Sequence, residues 1–410
     1  MTVSLEDIKD ASKVIEGQVL RTPSIQAARL SEDLGFDLVL KLENLQTTGS
    51  FKERGAVNKL SSLTDEQRKT GVIAMSAGNH AQGVAYHAMR MGIPATIVMP
   101  DFAPITKVER TRSFGAQVVL TGDTLDASAV AAREIAKEKN LTFVHPYDDE
   151  FIVAGQGTIG MEMLEDHPDL EVIVVPIGGG GIISGIATAV KAIKPDIKVY
   201  GVETEFYPSM YQALHNLTPN SGGQTLADGI AVNNPGQITR AIIKELVEEI
   251  ILVDETAIET AIAALAEKQK LVAEGAGAAG LAALLAHPQR FKGKKVGTVI
   301  CGGNIDVRIL AGVLTRGLVR DGRMVRLRID ISDRPGVLGK LADIIGRSGG
   351  NIIEVFHQRL FQDVPVRNAE IDIIIETRNA DHVKEIVDGL QGQGFRTRVL
   401  SSRSIDSQVF

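Results

Sequence analysis

Lys52 stands where a lysine is out of place. It lies in Thr47-Thr48-Gly49-Ser50-Phe51-Lys52-Glu53-Arg54-Gly55-Ala56, just after a Gly-Ser turn. The stretch Phe51 to Leu63 has helical spacing of apolar residues, so Lys52 falls in a first helical turn. The positive end of a helix disfavours a cation, and the apolar wall of Phe51 and Ala56 disfavours it further. Both effects lower the pKa, and a neutral lysine amine is the form that condenses with a carbonyl. Taken alone, Lys52 reads first as a solvated lysine beside Glu53 and Arg54, and only the rest of the chain reverses that reading.

Three more stretches carry chemistry. Gly178, Gly179, Gly180 and Gly181 follow the apolar run Val174-Val175-Pro176-Ile177 and lead into Ile182-Ile183-Ser184-Gly185. Backbone amides freed by four glycines, together with a helix N-terminus, form a phosphate cradle. A tight strand–helix turn and a dinucleotide site are the alternatives. The G-x-G-x-x-G spacing fails from Gly178, where Ile183 fills the last place, and from Gly180, where Ile182 fills the second. Glu203, ending the next strand, does sit where a ribose-binding acid belongs. Ser76-Ala77-Gly78-Asn79-His80 joins another strand to another helix, either as caps or as a nest for a carboxylate. Cys301-Gly302-Gly303-Asn304 is a third such junction, where Cys301 is a small core residue or a neutral group facing a ligand. A phosphorylated aldehyde needs the cradle and the lysine. An amino acid bound to it needs the nest.

The elements that must hold these residues alternate. Strands are expected at 38–42, 72–75, 95–99, 116–120 and 141–144, with helices at 78–91, 104–113 and 124–139. A second series has strands at 172–176, 197–202 and 295–300 and helices at 182–193, 237–247, 255–269, 275–286 and 305–316. This is an α/β pattern of two doubly wound lobes, the smaller, about 45–145, inserted into the larger, with ligands at the carboxyl ends of the strands. After Arg320-Asp321-Gly322-Arg323 the order changes to βαββαβ, a ferredoxin-like arrangement, with strands at 324–331, 351–361, 369–377 and 395–400 and helices at 336–347 and 380–390.

Composition narrows the class. A chain of 410 residues exceeds one ordinary core. The net charge of -7 argues against nucleic acid as the main partner, and no apolar run is long enough for a membrane span. Met1 to Asp7 lacks the basic and apolar regions of a signal peptide. The single cysteine excludes an internal disulfide, and a cytoplasmic location is expected.

With these motifs in order, residues 5–320 resemble the threonine/serine dehydratases, pyridoxal-phosphate enzymes of the two-lobed, tryptophan-synthase-β-like fold-type II class. Residues 324–402, with Asp333-Arg334-Pro335-Gly336-Val337-Leu338 at the first strand–helix turn, resemble an ACT regulatory domain. The layout is similar to threonine ammonia-lyases with one C-terminal ACT domain, which implies a catalytic domain over 1–320 and an ACT domain over 324–410.

The resemblance implies roles. Lys52 holds pyridoxal 5'-phosphate and serves as the base, and Phe51 packs beside the ring. Asn79 bonds the ring's 3-oxygen, Gly178 to Ile182 bind the phosphate, and Cys301 faces the ring nitrogen, where many members have serine. Ser76, Asn79 and His80 meet the substrate carboxylate. Glu203 would help hold a cation, although Ser209 replaces the aspartate expected after it. Racemases of the family carry serine where this chain has Ala77, which cannot exchange a proton.

The implied reaction is deamination of L-threonine, with L-serine slower. A dehydratase acting mainly on serine or another hydroxy amino acid is the nearest alternative, and a non-catalytic amino-acid sensor is one from another class. In the tail, Asp333, Pro335, Gly336 and Asn351 are expected to take isoleucine or valine across paired tails of a homotetramer or homodimer.

Overall fold

In the computed structural model, which describes residues 2–358 and 368–400, two parallel sheets build the first of two compact units. That unit spans Met1–Asp306, and the second spans Val307–Phe410. The larger sheet runs Ser24–Gln26, Asp37–Lys41, Lys295–Val299, Val172–Pro176, Lys198–Thr204, Glu249–Val253, parallel except for its first strand. The smaller runs Gln117–Leu120, Ala95–Met99, Val72–Met75, Thr142–Phe143, all parallel. Strands such as Val172–Pro176 are buried along their whole length, as both-face coverage by helices demands. All three strand ends singled out in the sequence, at Met75, Pro176 and Val299, open into loops at the carboxyl edges of these sheets.

Lys52 is the first residue of the helix Lys52–Ser61. Its position is set by a helix with no counterpart among the expected elements, Glu150–Asp166. This helix packs between Lys52–Ser61 and Gly181–Ile193, and its glycines face the closest approaches. A Cβ at Gly155 would lie 2.7 Å from the Arg54 carbonyl oxygen, and one at Gly160 2.9 Å from Val190. Gly157 faces Ile8 and the Gly185 carbonyl. Buried along Ile152–Gly160 without a break, the helix has no polar face and so no amphipathic stripe to find. Asp149 caps it through the amides of Phe151, at 2.9 Å, and Ile152, at 3.2 Å.

Beneath Lys52 lies a buried, charge-balanced cluster. The Arg54 guanidinium donates to Glu43 Oε1 at 2.8 Å and to Glu162 Oε1 at 2.6 Å, and Lys41 meets Glu162 from the other side. Burial opposes its charge, but Glu43 and Glu162 raise the Arg54 pKa overall. The short helices Ala28–Leu34 and Asp65–Thr70 and the strand Glu249–Val253 were also absent from the expected elements.

The second unit begins with the helix Val307–Arg320. Strands Met324–Ser332, Asn351–Gln358, Asn368–Glu376 and Thr397–Val399 alternate with helices Val337–Arg347 and Ala380–Gly392 in the order βαββαβ. The sheet is antiparallel, with the strand Asn351–Gln358 at one edge and Thr397–Val399 at the other. Leu341, Ile345, Ile386 and Leu390 of the helices cover Leu327, Ile329, Ile371 and Ile373 of the strands. Arg326 and Arg328 share Asp372 on the opposite sheet face. Residues 359–361 of the expected strand lie outside the described residues.

Candidate active site

The loop before Lys52 is zipped to the loop after the strand Lys295–Val299. Ser50 forms an antiparallel bridge with Gly302, Phe51 donates its amide to the Cys301 carbonyl at 3.0 Å, and Gly303 donates to Gly49 at 2.9 Å. Gly49 has φ +76, the left-handed region, and a Cβ there would strike Asn304. The Lys52 ammonium donates to the Pro146 carbonyl at 2.9 Å and stands 5.0 Å from the Phe51 ring centroid. Its side chain keeps some exposure, yet protein crowds the amine so closely that burial brings its pKa down to about 8. Glu53, next in sequence, is fully buried, accepts the Thr48 amide, and meets His87 Nε2 at 3.0 Å. The turn that presents Lys52 is thus pinned from both sides.

The glycine run fills the loop between the strand Val172–Pro176 and the helix Gly181–Ile193. Gly180 has φ +92, and each glycine faces something that a side chain would displace. Gly178 faces Ile230, Gly179 the ring of Tyr147, Gly180 Thr239, and Gly181 the backbone of Tyr147. The Ile182 side chain points into the core, which leaves only its amide for a ligand. The amides at this helix start are of the kind that can bind an anion.

Asn79 opens the helix Asn79–Arg90. Its Nδ2 donates to Glu274 Oε1 at 2.6 Å, and its Oδ1 accepts from Asn304 Nδ2 at 2.8 Å. Ser76 Oγ accepts the Gly78 amide at 3.1 Å. His80 is buried, with Nε2 on the Val144 carbonyl at 3.0 Å. Burial, with Lys52 adding to it, pushes its pKa down to about 3. The ring is therefore neutral and occupied, and what His80 offers an anion is its first-turn amide.

Cys301 is buried, and burial together with Glu274 raises its thiol pKa well above the ordinary value. It is a neutral group. Phe51 packs on the core cluster that holds Cys301 and Ile182. Glu203 lies apart, with both oxygens used as the cap of the short helix Ser209–Leu214, accepting from Met210 and Tyr211 at 2.9 Å each. Burial lifts its pKa to about 8. Among the described residues no three His, Cys, Asp or Glu side chains come together as metal ligands.

Two contributors carried no expectation. Glu274 is buried and its pKa is pushed up to about 7, first by burial and then by Asp228. In sequence it reads only as the residue before the helix Gly275–Ala286. The other is the loop His145-Pro146-Tyr147-Asp148-Asp149. Pro146 receives Lys52, Tyr147 faces Gly179, and Asp148 caps the helix Gln237–Leu246 through the amides of Gln237 and Ile238, at 2.9 Å each. The paired acids, each a helix-capping type, were its only sequence signal.

In the second unit, Asp333, Pro335 and Gly336 lie in the turn between Met324–Ser332 and Val337–Arg347, where Gly336 takes φ +86. Asn351 Nδ2 donates to Glu376 at 3.1 Å.

Residues 15–302 match the family described as pyridoxal-phosphate dependent enzymes. The chain belongs to that family. Its members use pyridoxal phosphate, and the residues here fit that group. A glycine loop without room for side chains leaves its amides for a phosphate, a lysine amine of lowered pKa suits an aldehyde, and the buried hydroxyls of Thr48 and Ser50 have no protein partner. An L-threonine ammonia-lyase of Thermotoga maritima is 48% identical over 400 residues, 97% of this chain and 100% of that protein. The processed form of threonine deaminase isoform 2 from Solanum lycopersicum superposes with a TM-score of 0.72 at 36% identity, covering 76% of this chain and 86% of that one. A serine racemase from Dictyostelium discoideum gives 0.70 at 36% identity, covering 75% and 100%. Among the described residues no helix is long and apolar enough to cross a membrane.

Proposed function

We propose that the chain deaminates L-threonine to 2-oxobutanoate and ammonia by β-elimination of water, and L-serine to pyruvate more slowly. The observation that carries this is the position of Lys52. Its amine has a pKa of about 8, sits on the Pro146 carbonyl and is within electrostatic reach of Cys301 and Glu274. The nearly full-length likeness to the Thermotoga enzyme supports the substrate.

Pyridoxal phosphate, when bound, condenses with the substrate amine and withdraws electrons from its α-carbon. In this assignment the amides of Gly178, Gly179, Gly180, Gly181 and Ile182 would hold the phosphate, and Phe51 would pack beside the ring. Asn79 would turn an N–H toward the 3-oxygen. The Cys301 thiol, neutral by burial, would face the ring nitrogen as a group too weakly acidic to protonate it, which suits β-elimination. Ser76 and the first-turn amides of Asn79 and His80 bind the carboxylate. Lys52, as the free amine, would take the α-proton and return a proton to the departing β-hydroxyl. Ala77 offers no second acid/base, which disfavours racemisation. The cation role expected of Glu203 is left out of this chemistry.

The proposal extends to the second unit as an ACT domain whose turn at Asp333, Pro335 and Gly336, with Asn351 from a neighbouring copy, binds isoleucine first and valine second in a cytoplasmic homo-oligomer, most simply a tetramer. Its βαββαβ order supports this. Keto-acid formation across a panel of hydroxy amino acids, with and without isoleucine, tests the whole. Threonine should be turned over fastest and isoleucine should lower the rate. Faster turnover of another hydroxy amino acid contradicts the substrate, and indifference to isoleucine contradicts the effector.

A further inference from the structure

We propose that Asn304 and Glu274 are positioning residues that fix the Asn79 carboxamide so that it turns an N–H to the cofactor. The proposal rests on the placement of Asn79 beside the cofactor ring given above.

A carboxamide presents a donor at one end and an acceptor at the other, and rotation by half a turn exchanges them. Here the exchange is blocked by groups that can play one part only. The Thr48 carbonyl can only accept, and it takes Asn304 Nδ2 at 2.7 Å. Arg110 can only donate, and its Nη1 reaches Asn304 Oδ1 at 3.0 Å. Asn304 is therefore held with its amino group inward. The second N–H of that group goes to Asn79 Oδ1 at 2.8 Å. On the far side, Asn79 Nδ2 donates to the Glu274 carboxyl at 2.6 Å.

Counting what is left gives the consequence. The Asn79 oxygen is occupied by Asn304. One of its two N–H groups is occupied by Glu274. One N–H remains for a ligand, and that N–H calls for an acceptor. A ring oxygen facing it is favoured as the deprotonated oxyanion, because a hydroxyl there would have to find another acceptor. Gly302 makes room for the arrangement, since a Cβ there would press on Glu274 and come within 3.2 Å of Asn79 Nδ2. The Glu274 amide in turn donates to the Gly302 carbonyl at 3.1 Å.

The test uses the full-length holoenzyme with Asn304→Ala, Glu274→Ala, Glu274→Gln and the surface change Arg110→Ala, each made in the wild type and in Asn79→Ala. Two readouts besides activity are followed: the cofactor dissociation constant and the pH midpoint of the cofactor's visible absorption band. Asn304→Ala and Glu274→Ala are expected to weaken cofactor binding by about tenfold, the worth of one lost hydrogen bond to a positioned group, and to raise the midpoint. Glu274→Gln, which keeps an acceptor, should stay within about twofold, and Arg110→Ala, one bond further out, should shift both readouts by about twofold. In the Asn79→Ala background all these changes should vanish. If they persist there undiminished, the two residues act on something other than Asn79 and the proposal is overturned. Should the buried variants not fold, an Arg110→Ala enzyme with both readouts unmoved overturns it as well. If Asn79→Ala itself leaves both readouts at the wild-type values, it is the placement of Asn79 at the ring that fails.

Discussion

The Phe51 amide donates to the Cys301 carbonyl at 3.0 Å, across almost the whole of the first unit's sequence. This bond puts the residue before the lysine and the neutral thiol on facing backbone rungs. The amine and the thiol therefore cannot move apart without breaking the bridge between Ser50 and Gly302.

Cofactor loading should follow the neutral amine. With a Lys52 pKa of about 8, roughly a tenth of the amine is neutral at pH 7 and about nine-tenths at pH 9. The loading rate onto cofactor-free protein, followed by visible absorbance, should rise about tenfold over that range and level off. A rate still climbing steeply at pH 10 would mean that the amine titrates like an ordinary lysine.

Gly179→Ala should break the cradle. The added methyl meets the Tyr147 ring, whose hydroxyl is tied to the Asn234 carbonyl at 2.8 Å. Cofactor affinity should fall at least about tenfold, the cost of displacing a held side chain by one to two kcal/mol. Equilibrium dialysis decides it, and an affinity within twofold of wild type would show that the loop yields without consequence.

Much of this was legible in the sequence, and what was missed has identifiable causes. Lys52, Asn79, Cys301 and the glycine run sit at strand–helix junctions, where Gly, Ser and Asn interrupt apolar runs and mark the loop edge. The helix Glu150–Asp166 gave no such mark, because it is buried on all sides through most of its length. Its glycines serve helix contacts with Arg54 and Val190 rather than turns. Glu274 was hidden differently, since its partner Asn79 lies far away in the chain and no local pattern links them. The role of His80 became narrower when its ring was found on the Val144 carbonyl, a contact no spacing rule foretells.

The buried ion cluster should dominate stability. Glu162→Ala leaves Arg54 and Lys41 without one of their two carboxylates, and breaking such a buried pair costs about 3–5 kcal/mol. Glu165→Ala, which removes only the exposed partner of Arg21, should cost about 0–1 kcal/mol. Urea unfolding of the two variants compares them directly. Equal, small losses would show that the cluster is no more than a surface pair in effect.

Stability should also depend on pH through Glu203. Its folded pKa is raised from 4.5 to about 8, so between those values the folded state keeps a proton that the unfolded state gives up. Stability from this group is present below about pH 4.5 and is lost as pH rises through about 8. Glu203→Gln should flatten the decline of the melting temperature between pH 5 and 8. An unchanged slope would mean that the folded carboxyl is already ionised at pH 5.

The central claim is that Lys52 carries the cofactor and serves as the base for threonine deamination. Its most direct test is borohydride reduction of the purified holoenzyme followed by peptide mapping, with 2-oxobutanoate release from L-threonine measured on the same preparation before reduction. The account predicts one reduced pyridoxal phosphate per chain, on the peptide containing Lys52, in an enzyme that releases 2-oxobutanoate. A label on another lysine, or threonine turnover that survives Lys52→Ala at near the wild-type rate, would contradict it.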